Sequence, residues 1–290
     1  MDRLERWSRG LSGLGNGTAT AVNAVYGALG RPGRLLQDLL NGTALGHALH
    51  PVLTDVTVGG LTMVVALDLV SLVLRVGGLE PATRIVLGLS LLATIGTVLS
   101  GLTDHKDTAT GDERNLATLH GWINVAATLL FAVAFFLRLG ANVPVAQGLG
   151  IVAYALLSVG AYVGGHVVFK YGYMVNRNAF ARSKRAAQFT PVLPEGELLP
   201  EKPTRVMLGS TALVVVRRDD LVFALRDTCS HAGGPLSGGH LGERGIVCPW
   251  HASEFSLNDG SVLHGPASTR QPAYRARLAG GQVEVQGPIG

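Results

Sequence analysis

The chain of 290 residues contains only two cysteines and few charged residues. Two cysteines cannot provide the four thiolates of an all-cysteine metal or cluster site. Asp, Glu, Lys and Arg make up 15% of the chain, whereas soluble domains usually contain about 25%. The mean hydropathy of +0.32 is correspondingly high for a soluble protein. The shortage of charge indicates that part of the chain lies in a membrane.

The charged residues are unevenly distributed, and four stretches between about Val52 and Tyr173 contain almost none. Each holds about 20 or more mainly apolar residues, enough to cross a hydrocarbon core of about 30 Å at about 1.5 Å per residue. Buried helices of a soluble protein are the alternative, but four such runs in succession favour a four-helix transmembrane bundle. The predicted spans are Val52–Val76, Ala82–Thr103, Leu116–Gly140 and Val145–Tyr173.

The residues before the first span do not have the pattern of a secretory signal. The segment from Leu11 to Leu29 is too broken by Gly, Asn and Thr to form the apolar core of a signal peptide. We expect an interfacial or disordered arm with a short amphipathic helix at Arg34–Leu40. The run Gly30–Gly33 is expected to break the chain before that helix.

Lys and Arg are concentrated on one side of the predicted bundle, the side that carries both termini. Since basic residues in short loops mark the cytoplasmic side, we predict a multi-pass membrane protein with both termini in the cytoplasm. The basic arm and linker explain the pI of about 9.3 without a nucleic-acid partner. The opposite side has only Arg75, Arg84 and Arg138. The basic residues on the cytoplasmic side are Arg3, Arg6, Arg9, Arg31, Arg34, Lys106, Arg114, Lys170, Arg177, Arg182, Lys184 and Arg185.

Each of the two cysteines has a histidine close behind it in the sequence. Cys229 is followed by His231, and Cys248 by His251. Two thiolates and two imidazoles can hold one 2Fe-2S cluster, with the cysteines on one iron and the histidines on the other. The same ligand types can bind zinc, but zinc fingers usually pair cysteine with cysteine and histidine with histidine. The mixed pairs therefore favour an iron–sulfur cluster that transfers one electron at a time.

The sequence around these four residues resembles the two cluster loops of Rieske proteins. The resemblance is carried by 229–236 and 248–255 and by the downstream runs 259–262, 265–267 and 271–274, and it covers roughly Pro191 to Val285. It implies an all-β domain with a Rieske-type 2Fe-2S cluster. It also implies that the Ser253 hydroxyl bonds a bridging sulfide. The ligands implied are Cys229, His231, Cys248 and His251.

Two departures from respiratory Rieske proteins indicate the kind of centre. The resemblance places Gly234 and Trp250 where those proteins carry two further cysteines, so no disulfide can join the loops. Phe255 stands at the position of a tyrosine whose hydroxyl bonds a ligand sulfur. Because hydrogen bonds to the sulfurs stabilise the reduced cluster, the potential is expected to be lower. The domain is thus similar to the Rieske-type ferredoxins that serve oxygenases.

The C-terminal domain has a pattern of short strands separated by turns. The predicted turns are 218–220, 258–260 and 279–281. His240 and His264 are expected in solvent-exposed loops. The predicted strands are Arg205–Leu208, Ala212–Arg217, Leu221–Leu225, Gly245–Cys248, Glu254–Leu257, Ser261–Leu263, Ala273–Leu278 and Gln282–Gln286.

Five histidines lie toward the predicted cytoplasmic end of the spans. Ionisable groups at membrane depth are costly and are therefore functional candidates. Two imidazoles from facing helices could ligate a b-type haem. A divalent metal, a quinone headgroup, and structural or proton-handling roles are the alternatives. The histidines of this candidate cofactor site are His47, His50, His105, His120 and His166.

The sequence around these histidines resembles a bacterial four-helix membrane-domain family of uncharacterised function. The resemblance is carried by residues 46–51, 101–104 and 119–122 and covers about Ala44 to Gly172. Members of that family occur alone or fused to Rieske domains. The resemblance implies a topology but no activity, and it assigns no role to Asp68 inside the first span.

The sequence therefore predicts a multi-domain protein, with an N-terminal four-helix transmembrane bundle and a C-terminal all-β Rieske domain. The predicted boundaries are 1–43 for the arm, 44–175 for the membrane domain, 176–190 for a basic linker and 191–288 for the Rieske domain. The predicted function is one-electron transfer between a redox partner, a reductase or an oxygenase, and a membrane or oxidoreductase centre. A membrane-tethered ferredoxin component of an oxygenase system and a redox sensor are the alternatives.

Overall fold

The computed structural model describes residues 3–180 and 186–289. The chain divides into two compact units. The first comprises Met1–Gly33 and Leu49–Tyr173, and the second comprises Arg34–Ala48 and Met174–Gly290. The first unit is helical, and the second is mainly antiparallel β-structure.

The helical unit is built around four helices that are long and apolar enough to cross a membrane. Their interior is a small apolar core that includes Leu61, Leu87 and Phe131, whereas many large apolar side chains point outward, as expected for helices surrounded by lipid. The prediction of four spans is confirmed. The helices are α1 (Arg3–Ser8), α2 (Ser12–Asn41), α3 (Leu49–Val73), α4 (Glu80–His105), α5 (Asp112–Leu139) and α6 (Val143–Tyr171).

The N-terminal arm is not disordered, because Leu11–Leu29 lies almost entirely within α2; its interfacial position stays a prediction. The expected break is present, since Gly30 has φ 58° and ψ −128°, but helix continues on both sides of it. One of the glycines in this segment, Gly15, permits close packing between helices. A Cβ atom on Gly15 would lie only 2.6 Å from Oγ1 of Thr118 in α5.

A buried ion-pair network accounts for Asp68, to which the sequence assigned no role. The fully buried guanidinium of Arg138 in α5 donates to Asp68 in α3 and to Glu80 in α4, at 2.5 Å in both cases. Gln147 in α6 also donates to Asp68 at 3.4 Å. Arg138 therefore contributes its side chain to the bundle interior, near the end of α5.

The β-unit contains two antiparallel sheets. The six-stranded sheet has the order β1-β10-β9-β4-β3-β2, and the four-stranded sheet has the order β5-β6-β7-β8. The predicted all-β class is confirmed, although the sequence pattern did not reveal β1 or β5. The strands are β1 (Ala186–Pro194), β2 (Thr204–Leu208), β3 (Thr211–Arg218), β4 (Leu221–Arg226), β5 (His240–Leu241), β6 (Gly245–Val247), β7 (Glu254–Ser256), β8 (Val262–His264), β9 (Ala273–Ala279) and β10 (Gln282–Ile289).

Residues 34–48, here called the strap, precede the first membrane helix in sequence but pack with the β-unit. The Asp38 carboxylate accepts the N–H of Gly265 at 2.8 Å and lies 2.8 Å from Nδ1 of His264. His264 is a strand residue whose side chain is 20% exposed. The expectation of a solvent-exposed loop is therefore wrong for His264, and His240 is exposed but lies in β5.

Candidate functional site

Two loops of the β-unit, Cys229–Gly234 and Cys248–Ser253, have the same backbone geometry. In each, the cysteine N–H donates to the carbonyl five residues later, at 2.9 Å in the first loop and 2.8 Å in the second. The N–H four residues after each cysteine donates back to the cysteine carbonyl. This turn requires a positive φ at its fifth residue, with the cysteine counted as the first. The φ angle is 88° at Gly233 and 60° at Ala252. Both cysteines are therefore presented by matching turns.

The two cysteine sulfurs lie side by side in the core of the β-unit. Both side chains are buried, and the two thiols are hydrogen-bonded to each other. The hydrogen bond from Cys229 lowers the pKa of Cys248 to about 7, while the same bond and burial raise the pKa of Cys229. Each sulfur also accepts the backbone N–H groups two and three residues later. These amides stabilise the thiolates that iron requires as ligands.

The two loop histidines follow the cysteines in sequence, and their rings lie close to each other. The ring centroids of His231 and His251 are 5.0 Å apart, with the planes at 88°. His231 is buried, while His251 is partly exposed next to Trp250, whose side chain is 57% exposed. Within 3–180 and 186–289, no three His, Cys, Asp or Glu side chains are placed to hold one metal ion. Two thiolates and two imidazoles in separate pairs instead fit a binuclear cluster, where each iron needs only two protein ligands.

Three neighbouring residues complete the surroundings of the loops. Ser253 is fully buried and its Oγ accepts the N–H of Ala267 at 2.9 Å, so its own proton remains available to a second acceptor. Phe255 is fully buried in the same apolar core as both cysteines. A Cβ atom on Gly234 would lie 2.9 Å from the Trp250 ring. Glycine therefore lets the indole pack against the first loop.

The sequence pattern did not identify Gln271 as a buried residue that hydrogen-bonds to the first loop. Gln271 is fully buried. Its Oε1 accepts the N–H of Ser230 at 3.0 Å, and its Nε2 donates to the carbonyls of Arg226 and Thr228 at 2.6 Å. Gln271 belonged to a matching run in the sequence, but no local signal distinguishes a supporting amide from a surface one.

The segment 176–180, predicted as the start of a basic linker, also supports the first loop. The Arg177 N–H donates to the Ser230 carbonyl at 3.0 Å. The Asn178 side chain donates to the Thr228 carbonyl at 3.0 Å. Residues 181–185 of the predicted linker lie outside the described residues.

Of the five membrane histidines, the structure brings His50 and His120 together. Their ring centroids are 6.3 Å apart and their planes are at 89°. Nδ1 of His50 lies 3.0 Å from the Thr97 carbonyl, and Nδ1 of His120 lies 2.8 Å from the Gly160 carbonyl. Each ring is therefore fixed by the backbone of a neighbouring helix.

The other three histidines have different surroundings. Nε2 of His105 is 2.9 Å from Oγ1 of Thr118. The His166 ring lies beside Tyr162, with 6.5 Å between centroids. Nδ1 of His47 is 3.1 Å from the carbonyl of the next residue, and His47 belongs to the β-unit.

Comparison with protein families gives two matches along the chain. Residues 188–275 match the Rieske [2Fe-2S] domain. Residues 46–177 match a family described as predicted membrane protein (DUF2231). The first match lies within the β-unit, and the second includes the four apolar helices.

Individual relatives match the β-unit. The anthranilate 1,2-dioxygenase ferredoxin subunit of Burkholderia cepacia is 29% identical over 34% of this chain and 92% of its own length. The ferredoxin component of biphenyl 2,3-dioxygenase from Rhodococcus jostii is 30% identical over 33% of this chain and 90% of its own. The solved ferredoxin of carbazole 1,9a-dioxygenase from Nocardioides aromaticivorans is 27% identical, covers 34% of this chain and 98% of its own, and has a TM-score of 0.33.

The match to a Rieske domain agrees with the two cysteines and two histidines that the loops carry. A ferredoxin of about 100 residues is matched nearly from end to end by the β-unit alone. A Rieske domain carries a 2Fe-2S cluster and transfers single electrons, and the apolar helices place that activity in a membrane protein. The chain therefore belongs to the Rieske [2Fe-2S] family and joins a Rieske domain to a DUF2231 membrane domain.

Proposed function

We propose that the protein is a membrane-anchored one-electron carrier whose cluster is bound by the two loop pairs. Cys229 and Cys248 would bind one iron, and His231 and His251 the other. The observation that carries this assignment is the pairing itself: two buried, hydrogen-bonded thiols and two facing imidazoles on loops of equal backbone geometry. When bound, a Rieske cluster accepts and releases one electron.

The remaining residues of the site hold and tune that group. The backbone N–H groups beside each sulfur favour the charged thiolate form. The Ser253 oxygen accepts the Ala267 N–H, which leaves the hydroxyl proton to be donated to a sulfide. Gln271 fixes the first loop and the residues just before it through three hydrogen bonds. The partly exposed His251 and the exposed Trp250 form the surface through which a partner exchanges electrons.

The named relatives support the class of redox partner. Two of them are ferredoxin components of aromatic-ring dioxygenases, which supports a reductase or an oxygenase as the partner of this chain. A second candidate function, a membrane-tethered ferredoxin of an oxygenase system, rests on the same similarity. The two are distinguished by whether reduced protein passes its electron to an added soluble oxygenase or to a centre within the membrane domain.

We further propose that the protein lies in a bacterial cytoplasmic membrane with the Rieske domain facing the cytoplasm. The distribution of Lys and Arg supports this orientation. The acceptor or donor in the membrane would be a b-type haem or a quinone close to the membrane histidines. The bilayer itself is the other partner, since the apolar outer faces of the four helices require lipid.

The ligand assignment is tested by replacing each histidine of the pair. His231→Ala and His251→Ala should each abolish the Rieske electron-paramagnetic-resonance signal of the dithionite-reduced full-length protein, because each removes a ligand of the same iron. His240→Ala, a change at an exposed histidine of the same unit, should leave the signal intact. A reduced wild-type protein with no such signal and with zinc in place of iron would refute the assignment.

A further inference from the structure

The interior of the helical unit contains a second pair of neighbouring imidazoles, with ring centroids 6.3 Å apart. We propose that His50 and His120 bind a single transition-metal ion between their Nε2 atoms, most simply the iron of a haem. This site goes beyond the Rieske cluster and uses residues of the helical unit alone.

The hydrogen bonds at Nδ1 fix the protonation of both rings. A backbone carbonyl can only accept, so Nδ1 of His50 must donate to Thr97 and Nδ1 of His120 must donate to Gly160. The Asn124 amide, 3.1 Å from Nδ1 of His120, donates to the His120 carbonyl at 2.7 Å instead. In a neutral ring, Nε2 then carries the lone pair. Metal-binding histidines have this arrangement, with the second ring nitrogen held by a backbone or carboxylate acceptor.

Glycines on the two neighbouring helices set the positions of the rings. A Cβ atom on Gly101 of α4 would lie 2.8 Å from Cε1 of His50. A Cβ atom on Gly164 of α6 would lie 2.6 Å from Cε1 of His120. Any larger residue at either position would push a ring aside. Both imidazoles are therefore positioned by packing as well as by hydrogen bonds, which is the preorganisation that a metal site needs.

The separation of the rings fits one metal ion between them. With metal–nitrogen bonds of about 2.0 Å, two imidazoles on opposite sides of one ion have centroids at about the 6.3 Å observed. A quinone bonded to both rings would need two hydrogen bonds of about 2.8 Å and the width of its own ring, which exceeds this separation. The spacing thus favours a metal over a bridging quinone.

The number of ligands narrows the kind of metal. Within residues 3–180, no third His, Cys, Asp or Glu joins the pair to form a metal-binding group. Zinc sites in proteins use three or four protein ligands, whereas haem iron needs only axial ligands because the macrocycle supplies the rest. A copper ion without a macrocycle is the other candidate, since imidazoles bind copper well. Haem iron and copper would both be coordinated by the two neutral Nε2 atoms.

The test is metal and haem analysis of the full-length protein, purified in detergent from cells supplied with iron, copper and a haem precursor. The wild type should contain one metal ion per chain beyond the two irons of the cluster. A Soret band with matching haem content identifies haem iron, and copper without that band identifies the bare ion. His50→Ala and His120→Ala should each reduce this third metal at least about tenfold.

Two further variants keep the test decisive. His105→Ala removes a histidine bonded to Thr118 and should retain the third metal. Gly101→Ala keeps both imidazoles but displaces the His50 ring, so this variant should lose the third metal. It tests the site even if the histidine variants fail to accumulate. The Rieske signal reports folding and the cluster independently, and it should persist in all four variants. No metal beyond two irons in the wild type, or equal third-metal content in the wild type and both histidine variants, would overturn the proposal.

Discussion

Single side chains around the cluster loops set how readily the cluster is reduced. Ser253 offers a hydroxyl proton, and the backbone supplies N–H groups to both sulfurs. Phe255 offers none, although it is fully buried in the core that contains both cysteines. Because each donor stabilises the more negative reduced state, this site has fewer donors than a Rieske protein with tyrosine at the Phe255 position.

The change Phe255→Tyr should therefore raise the midpoint potential. A new hydrogen bond to a ligand sulfur that favours the reduced state by about 1 kcal/mol corresponds to about 40 mV for a one-electron couple. Protein-film or spectroscopic redox titration measures the shift. Phe223→Tyr, at a partly buried position against the same core, controls for an added hydroxyl. A lower potential, or an unchanged one with the hydroxyl shown to reach the sulfur, would contradict the argument.

At the scale of elements, the strap fixes the β8 end of the small sheet. Asp38 holds both His264 and the Gly265 N–H. Asn41 in the strap is 1% exposed, and a Cβ atom on Gly265 would lie 2.7 Å from its Nδ2 and 2.9 Å from Oγ1 of Thr43. This contact needs glycine because two polar side chains occupy the space of a Cβ.

Gly265→Ala should displace the strap and destabilise the β-unit by about 1–3 kcal/mol, the usual cost of overpacking. The expected result is a lower temperature for thermal bleaching of the cluster absorbance, with the spectrum at low temperature unchanged. Gly196→Ala is the matched control, since a Cβ atom there would meet nothing within 4 Å. Equal bleaching temperatures for the two variants would show that the strap does not support the domain.

Arg138 joins three membrane helices through its ion pairs with Asp68 and Glu80, and replacing Arg138 alone should destabilise the bundle more than replacing Arg138 and Asp68 together. Arg138→Met leaves the buried Asp68 carboxylate without its main partner, for which about 3–5 kcal/mol is typical. The double change Asp68→Leu with Arg138→Met should recover most of this loss. Thermal unfolding in detergent measures both, with the partly exposed Arg84→Met as control. A double variant no more stable than the single one would argue against a direct pair.

Local patterns predicted the elements that depend on local chemistry. The apolar runs predicted the spans because about 20 consecutive apolar residues are themselves the signal of a membrane-crossing helix, and eight of the strands followed from short alternating runs between turns. The helix in the N-terminal arm was missed because Gly, Asn and Thr interrupt the apolar pattern of Leu11–Leu29, whereas Gly15 permits contact with Thr118 of a distant helix. The roles of Gln271, Arg138 and the strap depend on partners distant in sequence. No local pattern contains that information.

For the whole molecule, the basic residues of the sequence are distributed unequally across the predicted bundle. Arg75, Arg84 and Arg138 are the basic residues on the side reached by residues 74–79 and 140–142. The opposite side has twelve Lys or Arg residues by sequence. Such a difference in short loops determines orientation, and an even number of spans places both ends of the helical unit on the same side.

The Rieske domain should therefore face the cytoplasm, where reductases and oxygenases of the soluble kind are found. A green-fluorescent reporter fused after Gly290 should be bright, and alkaline phosphatase at the same position should be inactive. The same reporters inserted in the loop 74–79, between α3 and α4, should give the opposite pair of results. Strong phosphatase activity after Gly290 would reverse the topology and require a periplasmic redox partner, even if the cluster ligands were correct.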